Sequence, residues 1–148
     1  MNENPLAEPP AIASNPDPPD GLPCSTIVYR AALDPTWFAG DDEIDAAAFY
    51  RKRGEDGISI GATPEAARSF MENPIDGIIS VHVGHVRDVE DPELTTPLDV
   101  AFDDHPHGLI LNVPPKEKKG PRRRLADRVA GLIAKKAARP YEIYDPPR

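Results

Sequence analysis

Apolar and polar residues alternate along several short stretches of the chain, and the longest of these spans residues 77–89. Its first half alternates as expected for a β-strand with one apolar face. The alternation changes phase at Gly84, because the next apolar residue is Val86. We predict a β-bulge at Gly84, since one extra residue shifts the side-chain parity and glycine tolerates the required dihedrals. Four polar side chains would then share one face of the strand: Ser80, His82, His85 and Arg87.

Four further segments have strand character, namely residues 26–32, 58–60, 98–102 and 108–113. Turn-forming Gly, Pro and Asp residues lie at their ends, as is typical of short strands. The last segment is apolar on both faces, which predicts an interior position in the sheet. Between the last two segments, the run Asp103-Asp104-His105-Pro106-His107 is expected to turn the chain.

Three segments carry helix signals. Asp41 or Asp42 can cap a helix that runs to about Arg53, with acidic residues in its first turn and basic residues in its last. Thr63 is a suitable N-cap for a second helix, which starts at Pro64 and stops near residues 73–74. Residues 122–138 form an amphipathic pattern, and its apolar stripe consists of Leu125, Val129, Leu132 and Ile133.

The element order β-α-β-α-β-β-β-α predicts a single α+β domain. We expect a mixed, mainly antiparallel sheet of about five strands, two short helices and a basic C-terminal helix. The first 23 residues include seven prolines and few large apolar side chains, so we expect a disordered tail. The predicted organisation is a Pro-rich tail at 1–24, a core domain at 25–114, a basic linker at 115–121, an amphipathic basic helix at 122–139 and an extended tail at 140–148.

Charge is distributed unevenly along the 148 residues. The net charge is −8, but residues 116–139 contain ten basic and two acidic side chains, a local charge of +8 that leaves −16 elsewhere. An acidic body with a basic C-terminal segment opposes general affinity for nucleic acid, although the basic segment alone could contact phosphates.

Composition also excludes several classes of protein. The chain has no run of about 18 apolar residues, so no membrane span is predicted. Residues 1–24 lack a cationic start and an apolar stretch, so we expect no secretory signal. Cys24 is the single cysteine, which rules out an internal disulfide and suits a reducing compartment. We therefore expect a cytoplasmic protein.

The four histidines are the first candidate for chemistry. His105 and His107 lie close together in the predicted turn, and His82 and His85 could face them if the two segments are neighbours in the sheet. With two nearby aspartates, such a set could hold zinc or another divalent ion. The spacing matches no known metal motif, however, and the alternative is that these are turn and surface residues. We therefore assign no metal ligands.

Two segments carry a family resemblance: the pair Tyr29-Arg30, and residues 58–67, which contain Ser59 and Thr63 just before a helix. On these residues the stretch 26–114 resembles the ADP-ribosyltransferase-like toxins and their relatives. In that family an early strand presents an arginine or histidine to the dinucleotide, a later strand carries a serine-rich segment before a helix, and a third supplies a catalytic glutamate. The layout is also similar to that of small bacterial proteins from toxin-like gene neighbourhoods.

The resemblance implies a nucleotide-handling function, with NAD or RNA as the substrate class. It implies that Arg30, Ser59 and Thr63 contact NAD. Together with the surface formed by the histidines, it leads us to expect Arg30, Ser59, His82 and His107 as the catalytic residues. The chain departs from the family in its last strand, which has no glutamate, and His107 stands near where a polar group is required. The alternative is that Arg30 pairs with acidic residues, Ser59 is a plain strand residue and Thr63 only caps a helix.

The basic segment is a candidate partner-binding surface. Arg122, Arg123 and Arg124 lie at a predicted helix start, where the helix dipole disfavours cations, so local physics does not explain them. They could contact nucleic-acid phosphates, the acidic body of the same chain, or an acidic partner protein.

No Ser-His-Asp order, Gly-rich phosphate loop, CxxC pair or HExxH zinc site is present. Two hypotheses therefore remain. In the first, a surface around Arg30, Ser59 and the four histidines is a nucleotide-handling active site. In the second, the protein is a non-catalytic interaction module that docks a partner through the basic helix. A concave pocket holding Arg30 and two histidines would favour the first, and an exposed Leu125/Val129/Leu132 stripe the second.

Overall fold

The computed structural model describes residues 21–38 and 43–138, and the statements below concern those ranges. The predicted tails therefore lie almost wholly outside the described residues. The eight regular elements are β1 (Ile27–Ala32), β2 (Gly57–Gly61), α1 (Pro64–Ser69), β3 (Gly77–His82), α2 (Val83–Arg87), β4 (Asp99–Asp104), β5 (His107–Leu111) and α3 (Pro121–Lys135). Two short 3-10 helices, Pro35–Trp37 and Ala46–Phe49, lie between β1 and β2.

One five-stranded sheet with the order β3-β1-β2-β5-β4 organises the described part of the chain. All four strand pairings are antiparallel, which confirms the predicted α+β class. Strand β5 lies between β2 and β4, as its two apolar faces predict. The β1–β2 pairing is short, with a single register pair, Tyr29 and Gly61, whereas β1 and β3 pair over six residues.

The sheet is curved around the main core. Helix α2 follows β3 at one edge, yet Arg87 at its end donates from Nε to Asp99 of β4 at the other edge, over 2.7 Å. The contact therefore brings the two edges together. The enclosed face is lined by buried aliphatic side chains of all five strands, and α3 packs over it. The strand residues of this core are Val28, Ala32, Ile58, Ile60, Ile79, Val81, Val100 and Ile110.

Helix α1 covers part of the opposite face of the sheet. A Cβ added to Gly61 would lie 2.6 Å from the backbone nitrogen of Ala67, so glycine lets the helix approach the strand closely. Ala67 packs there with Ala31, Ile75 and Ile78 in a second, smaller core. The predicted cap is confirmed, because Thr63 Oγ1 accepts from the Ala66 nitrogen over 3.0 Å. The helix ends at Ser69, several residues earlier than predicted.

The Thr63 cap provides a test of local stability. Thr63→Ala is expected to lower the free energy of unfolding by about 1 kcal/mol, because the Ala66 N–H loses its side-chain acceptor. Thr63→Ser keeps the hydroxyl and should stay close to wild type. Denaturant titration of both variants measures the difference, and equal losses would show that the methyl group matters rather than the cap.

The predicted bulge at Gly84 was wrong. The chain leaves the sheet after His82 and forms α2, in which the Asp88 nitrogen donates to the Gly84 carbonyl over 3.0 Å. Val83, Val86 and Val89 recur every three residues and are all buried in the main core, which is helical rather than strand spacing. His82 is paired with Ile27, the first residue of β1, so the paired part of β3 ends there.

The predicted helix from Asp41 or Asp42 to Arg53 was also wrong over its described part. Only a 3-10 turn, Ala46–Phe49, is present, and Tyr50 is already extended. Tertiary contacts explain the difference, because Phe49 and Ala48 are both fully buried under α3. Beyond them, Arg51 donates from Nε to the Val113 carbonyl over 2.6 Å, which draws the chain away from a helical path.

Helix α3 confirms the predicted amphipathic segment and starts at Pro121. Its apolar stripe faces the core: Val129 and Ile133 are fully buried, and Leu125 and Leu132 are partly buried against them. Asp127 anchors the polar side by accepting from the Tyr50 hydroxyl over 2.6 Å. Among the described residues, no helix has the length and apolarity needed to cross a membrane.

Candidate functional site

Three side chains form a continuous hydrogen-bonded chain on the sheet face that α1 partly covers. Ser59 Oγ lies 2.8 Å from His107 Nε2, and His107 Nδ1 lies 2.6 Å from Asp103 Oδ1. Serine enzymes use a hydroxyl, an imidazole and a carboxylate that are hydrogen-bonded in this order, and the imidazole activates the hydroxyl as a nucleophile.

Strand geometry places the three groups together. In β2, Ser59 alternates with the core residues Ile58 and Ile60, so its side chain points to the other face. His107 begins β5 opposite Gly61, one alternation step from Ser59 on the same face. The β4–β5 register shifts between Phe102 and Asp104, and Asp103 lies at this irregularity, from which it reaches the imidazole.

The protonation states follow from the contacts. The hydrogen bond from His107 lowers the pKa of Asp103 below its ordinary value, so the carboxylate is ionised at neutral pH and only accepts. His107 Nδ1 therefore carries the proton that it donates to Asp103, and in the neutral ring Nε2 is left to accept from Ser59. Phe70 packs edge-on against the imidazole, with ring centroids 4.8 Å apart, and restricts its rotation.

Arg30 lies beside Ser59 as a partly buried cation. It donates from Nη1 to the Ser59 carbonyl over 3.0 Å and from Nε to the Ala48 carbonyl. Its guanidinium also lies over the Trp37 ring, 5.4 Å from the centroid. Burial lowers the pKa of Arg30 to about 10, so the group stays charged at neutral pH. Its hydrogen-bond partners within the described residues are carbonyls, and the negative charge of Glu55 lies close enough to favour the charged guanidinium.

Arg30 also explains the short β1–β2 pairing. The two strands share one register pair, and beyond it the Ser59 carbonyl accepts from the Arg30 side chain instead of from a β1 backbone nitrogen. The Arg30 side chain thus lies between β1 and β2 and supplies a hydrogen bond where the backbone pairing of the two strands ends.

A small cavity of about 20 Å³ opens between Arg30 and Ser59. Its volume suits about one water molecule. Leu33, Phe70 and Met71 form its outer wall. Leu33 is 45% exposed, and it is the one exposed large apolar residue in the described ranges.

The predicted convergence of four histidines is not observed, and the expectation that their segments are neighbours was wrong. Strands β1 and β2 lie between β3 and β5 in the sheet, so His82 and His107 are not on neighbouring strands. His82 instead neighbours His85, with ring centroids 5.6 Å apart. His85 is buried in α2 rather than exposed on a strand face.

The other predicted residues have separate positions. His105 lies in the β4–β5 turn and contacts the Phe102 ring edge-on at 4.8 Å. Thr63 caps α1, so its hydroxyl is already hydrogen-bonded. No group of three or more His, Cys, Asp or Glu side chains in residues 21–38 and 43–138 is arranged to hold a metal ion.

The three arginines at the start of α3 differ in their contacts. Arg123 pairs with Asp127 over 3.0 Å and donates to the Glu117 carbonyl, so it is committed to the fold. Arg122 and Arg124 are exposed, and their side chains make no hydrogen bond or ion pair with any described residue. Further along α3, Arg128 binds Asp91 and Glu93, which is the internal pairing considered as one alternative for this segment.

Sequence reasoning found Ser59 and His107 but missed Asp103 as the partner that orients the imidazole. The signal was present, because Asp103 and His107 flank a predicted tight turn, and residues on either side of a hairpin turn become cross-strand neighbours. The Ser-His-Asp set is dispersed over β2, β4 and β5, so no local motif reveals it.

Comparisons with protein-family models, with curated proteins and with solved structures find no match.

Proposed function

We propose that this protein is a cytoplasmic enzyme that handles a phosphate-bearing nucleotide, with NAD or RNA as the substrate class. The observation that carries the proposal is the hydrogen-bonded chain from Ser59 through His107 to Asp103. Ser59 and His107 are also two of the residues singled out by the resemblance to ADP-ribosyltransferase-like toxins. The missing family glutamate makes a serine-centred reaction the better fit to this chain.

In this proposal Ser59 is the nucleophile and His107 is the general base. As Ser59 Oγ bonds to the electrophilic centre, its proton passes to His107 Nε2, and the bond to the leaving group breaks. His107 then returns the proton to the leaving group. Asp103 positions the ring and stabilises the imidazolium that forms in between. A water molecule, activated in the same way, completes hydrolysis.

Arg30 accounts for the preference for an anionic substrate. Arg30 is partly buried, the charge of Glu55 acts on it without a hydrogen bond, and its bonded partners in the described chain are neutral carbonyls, so it has no directly bonded negative charge. A substrate phosphate would supply that charge next to Ser59. Leu33, Phe70 and Met71 provide apolar surface on which a base could pack. Because the cavity holds about one water, these outer side chains must move when a nucleotide enters.

Ligand-induced stabilisation tests the proposal. A thermal-shift screen of the full chain with NAD, mononucleotides and a short RNA should identify a ligand that adds roughly 2.7 kcal/mol to stability at a hundred times its dissociation constant. Arg30→Gln should reduce this ligand-induced shift, even if it also lowers the starting Tm. Arg53→Gln removes a cation that is 73% exposed and serves as the matched control, with the shift retained.

A second function remains, in which the protein is a non-catalytic module that docks an acidic partner. The exposed and unpaired state of Arg122 and Arg124 within the described chain favours it. The apolar stripe of α3 would not be the docking surface, because Val129 is fully buried. Absence of a shift with every nucleotide would favour this function over the enzyme.

A further inference from the structure

A second and larger cleft lies at the opposite end of β5 from His107. Its volume is about 360 Å³, within the usual range for small-molecule sites. Asn112 and Val113, which follow β5, contribute to its wall, so about five residues of strand, roughly 17 Å, separate it from His107. The cleft is therefore distinct from the Ser59 site.

The cleft is lined by apolar side chains and by one arginine, Arg122, whose side chain has no hydrogen-bond partner among the described residues. Leu94, Val113 and Leu125 line it together with two prolines, Pro114 and Pro115. These side chains come from the loop before β4, the segment after β5 and the first turns of α3. They provide a surface on which an apolar ligand body can be shielded from water.

The charged side chains around the cleft differ in whether they already bind another residue of the protein. Glu93 is bound by Arg128 over 2.8 Å, and Arg51 donates to the carbonyls of Val113 and Glu55. Arg122 also lines the cleft, and it makes no hydrogen bond or ion pair with any residue of the described ranges. Its guanidinium is therefore available to a ligand.

We propose that this cleft binds a small monoanionic carboxylate with an apolar body. Arg122 would hold the carboxylate, because the planar guanidinium matches two carboxylate oxygens. The lining contains two arginines, Arg51 and Arg122, and two carboxylates, Glu93 and Glu117, so its charges balance and it offers no excess of positive charge for a dianionic phosphate. The volume of about 360 Å³ accommodates one or two fused rings or a short acyl chain.

Three probes that share one apolar body test the charge preference: 2-naphthoate, 2-naphthamide and 2-naphthyl phosphate. Titration calorimetry of the full chain should show one saturable site, with naphthoate bound most tightly. Arg122→Gln should weaken naphthoate binding about tenfold, because a charge-assisted hydrogen bond is lost, and should leave naphthamide binding unchanged.

Matched variants distinguish binding in the cleft from general electrostatic attraction of the anionic ligand to the protein surface. Arg124→Gln removes an equally exposed charge that does not line the cleft, and it should leave the affinity for naphthoate within about twofold. Thr96→Trp should block binding by filling the cleft, since Thr96 is an exposed part of its lining. Ser59→Ala should bind naphthoate normally, which distinguishes this proposal from the nucleotide site.

The proposal is overturned if naphthamide or naphthyl phosphate binds as tightly as naphthoate, if the two arginine variants lose affinity equally, or if Thr96→Trp binds like wild type. Failure to observe saturable binding of naphthoate would also overturn it.

Discussion

Replacing Ser59 with alanine is expected to lower the turnover of the proposed nucleotide substrate by about a thousandfold or more. The substitution removes the only hydroxyl bonded to His107 Nε2 among the described residues. Ser59 is partly exposed and its backbone pairing with Leu109 is unaffected, so the fold should persist. Turnover of the ligand found in the thermal-shift screen measures the loss, and the unfolding transition of the same sample verifies the fold.

His107 and Asp103, the other two residues of the hydrogen-bonded set, should act as one unit. His107→Gln and Asp103→Asn are each expected to reduce turnover by two to four orders of magnitude, about as much as their combination, because the groups act together. His105→Gln and Asp104→Asn are matched controls from the same turn, since neither residue contacts Ser59. Wild-type turnover by Ser59→Ala, or equal losses in the controls, would refute the assignment.

Replacing Phe49 with alanine is expected to lower the free energy of unfolding by about 3–5 kcal/mol. Phe49 is 0% exposed and lies in the main core beneath α3. Removing its ring should therefore leave a cavity in the core. The loss is a large share of the stability of a typical small domain, which is about 5–15 kcal/mol. The variant should therefore unfold at a denaturant concentration well below the wild-type midpoint.

Denaturant unfolding at equilibrium measures this effect through the change in midpoint at constant m value. Leu33→Ala is the control, because Leu33 is also a large apolar residue between β1 and β2 but is 45% exposed. Its loss should stay below about 1 kcal/mol. A Phe49 variant that unfolds at the same midpoint as the Leu33 variant would mean that the 3-10 turn is not a structural anchor.

Local signals in the sequence predicted the elements whose formation depends on nearby residues. Thr63 and Pro64 mark the start of α1, and the stripe around Val129 marks the buried side of α3, because caps and amphipathic periodicity act within a few turns. The α+β class followed from the order of these elements. Arg30, Ser59 and His107 were recognised one by one, and the structure places Arg30 and His107 on either side of Ser59.

Other features depended on contacts between distant parts of the chain. Residues 83–87 have both strand and helix periodicity, and the end of the β1 pairing at Ile27 decided for a helix. The strand order separated His82 from His107, which no local pattern specifies. The alignment of β2, β4 and β5 joined Ser59 to His107 and Asp103.

The sequence alone therefore determined where the five strands lie, apart from the end of β3, where α1 starts, which face of α3 is buried, and where the charge is concentrated. Only the tertiary structure decided which polar side chains meet. The physical reason is that strand pairing joins residues far apart in the chain, and pairing and register depend on the packing of the whole core rather than on neighbouring residues.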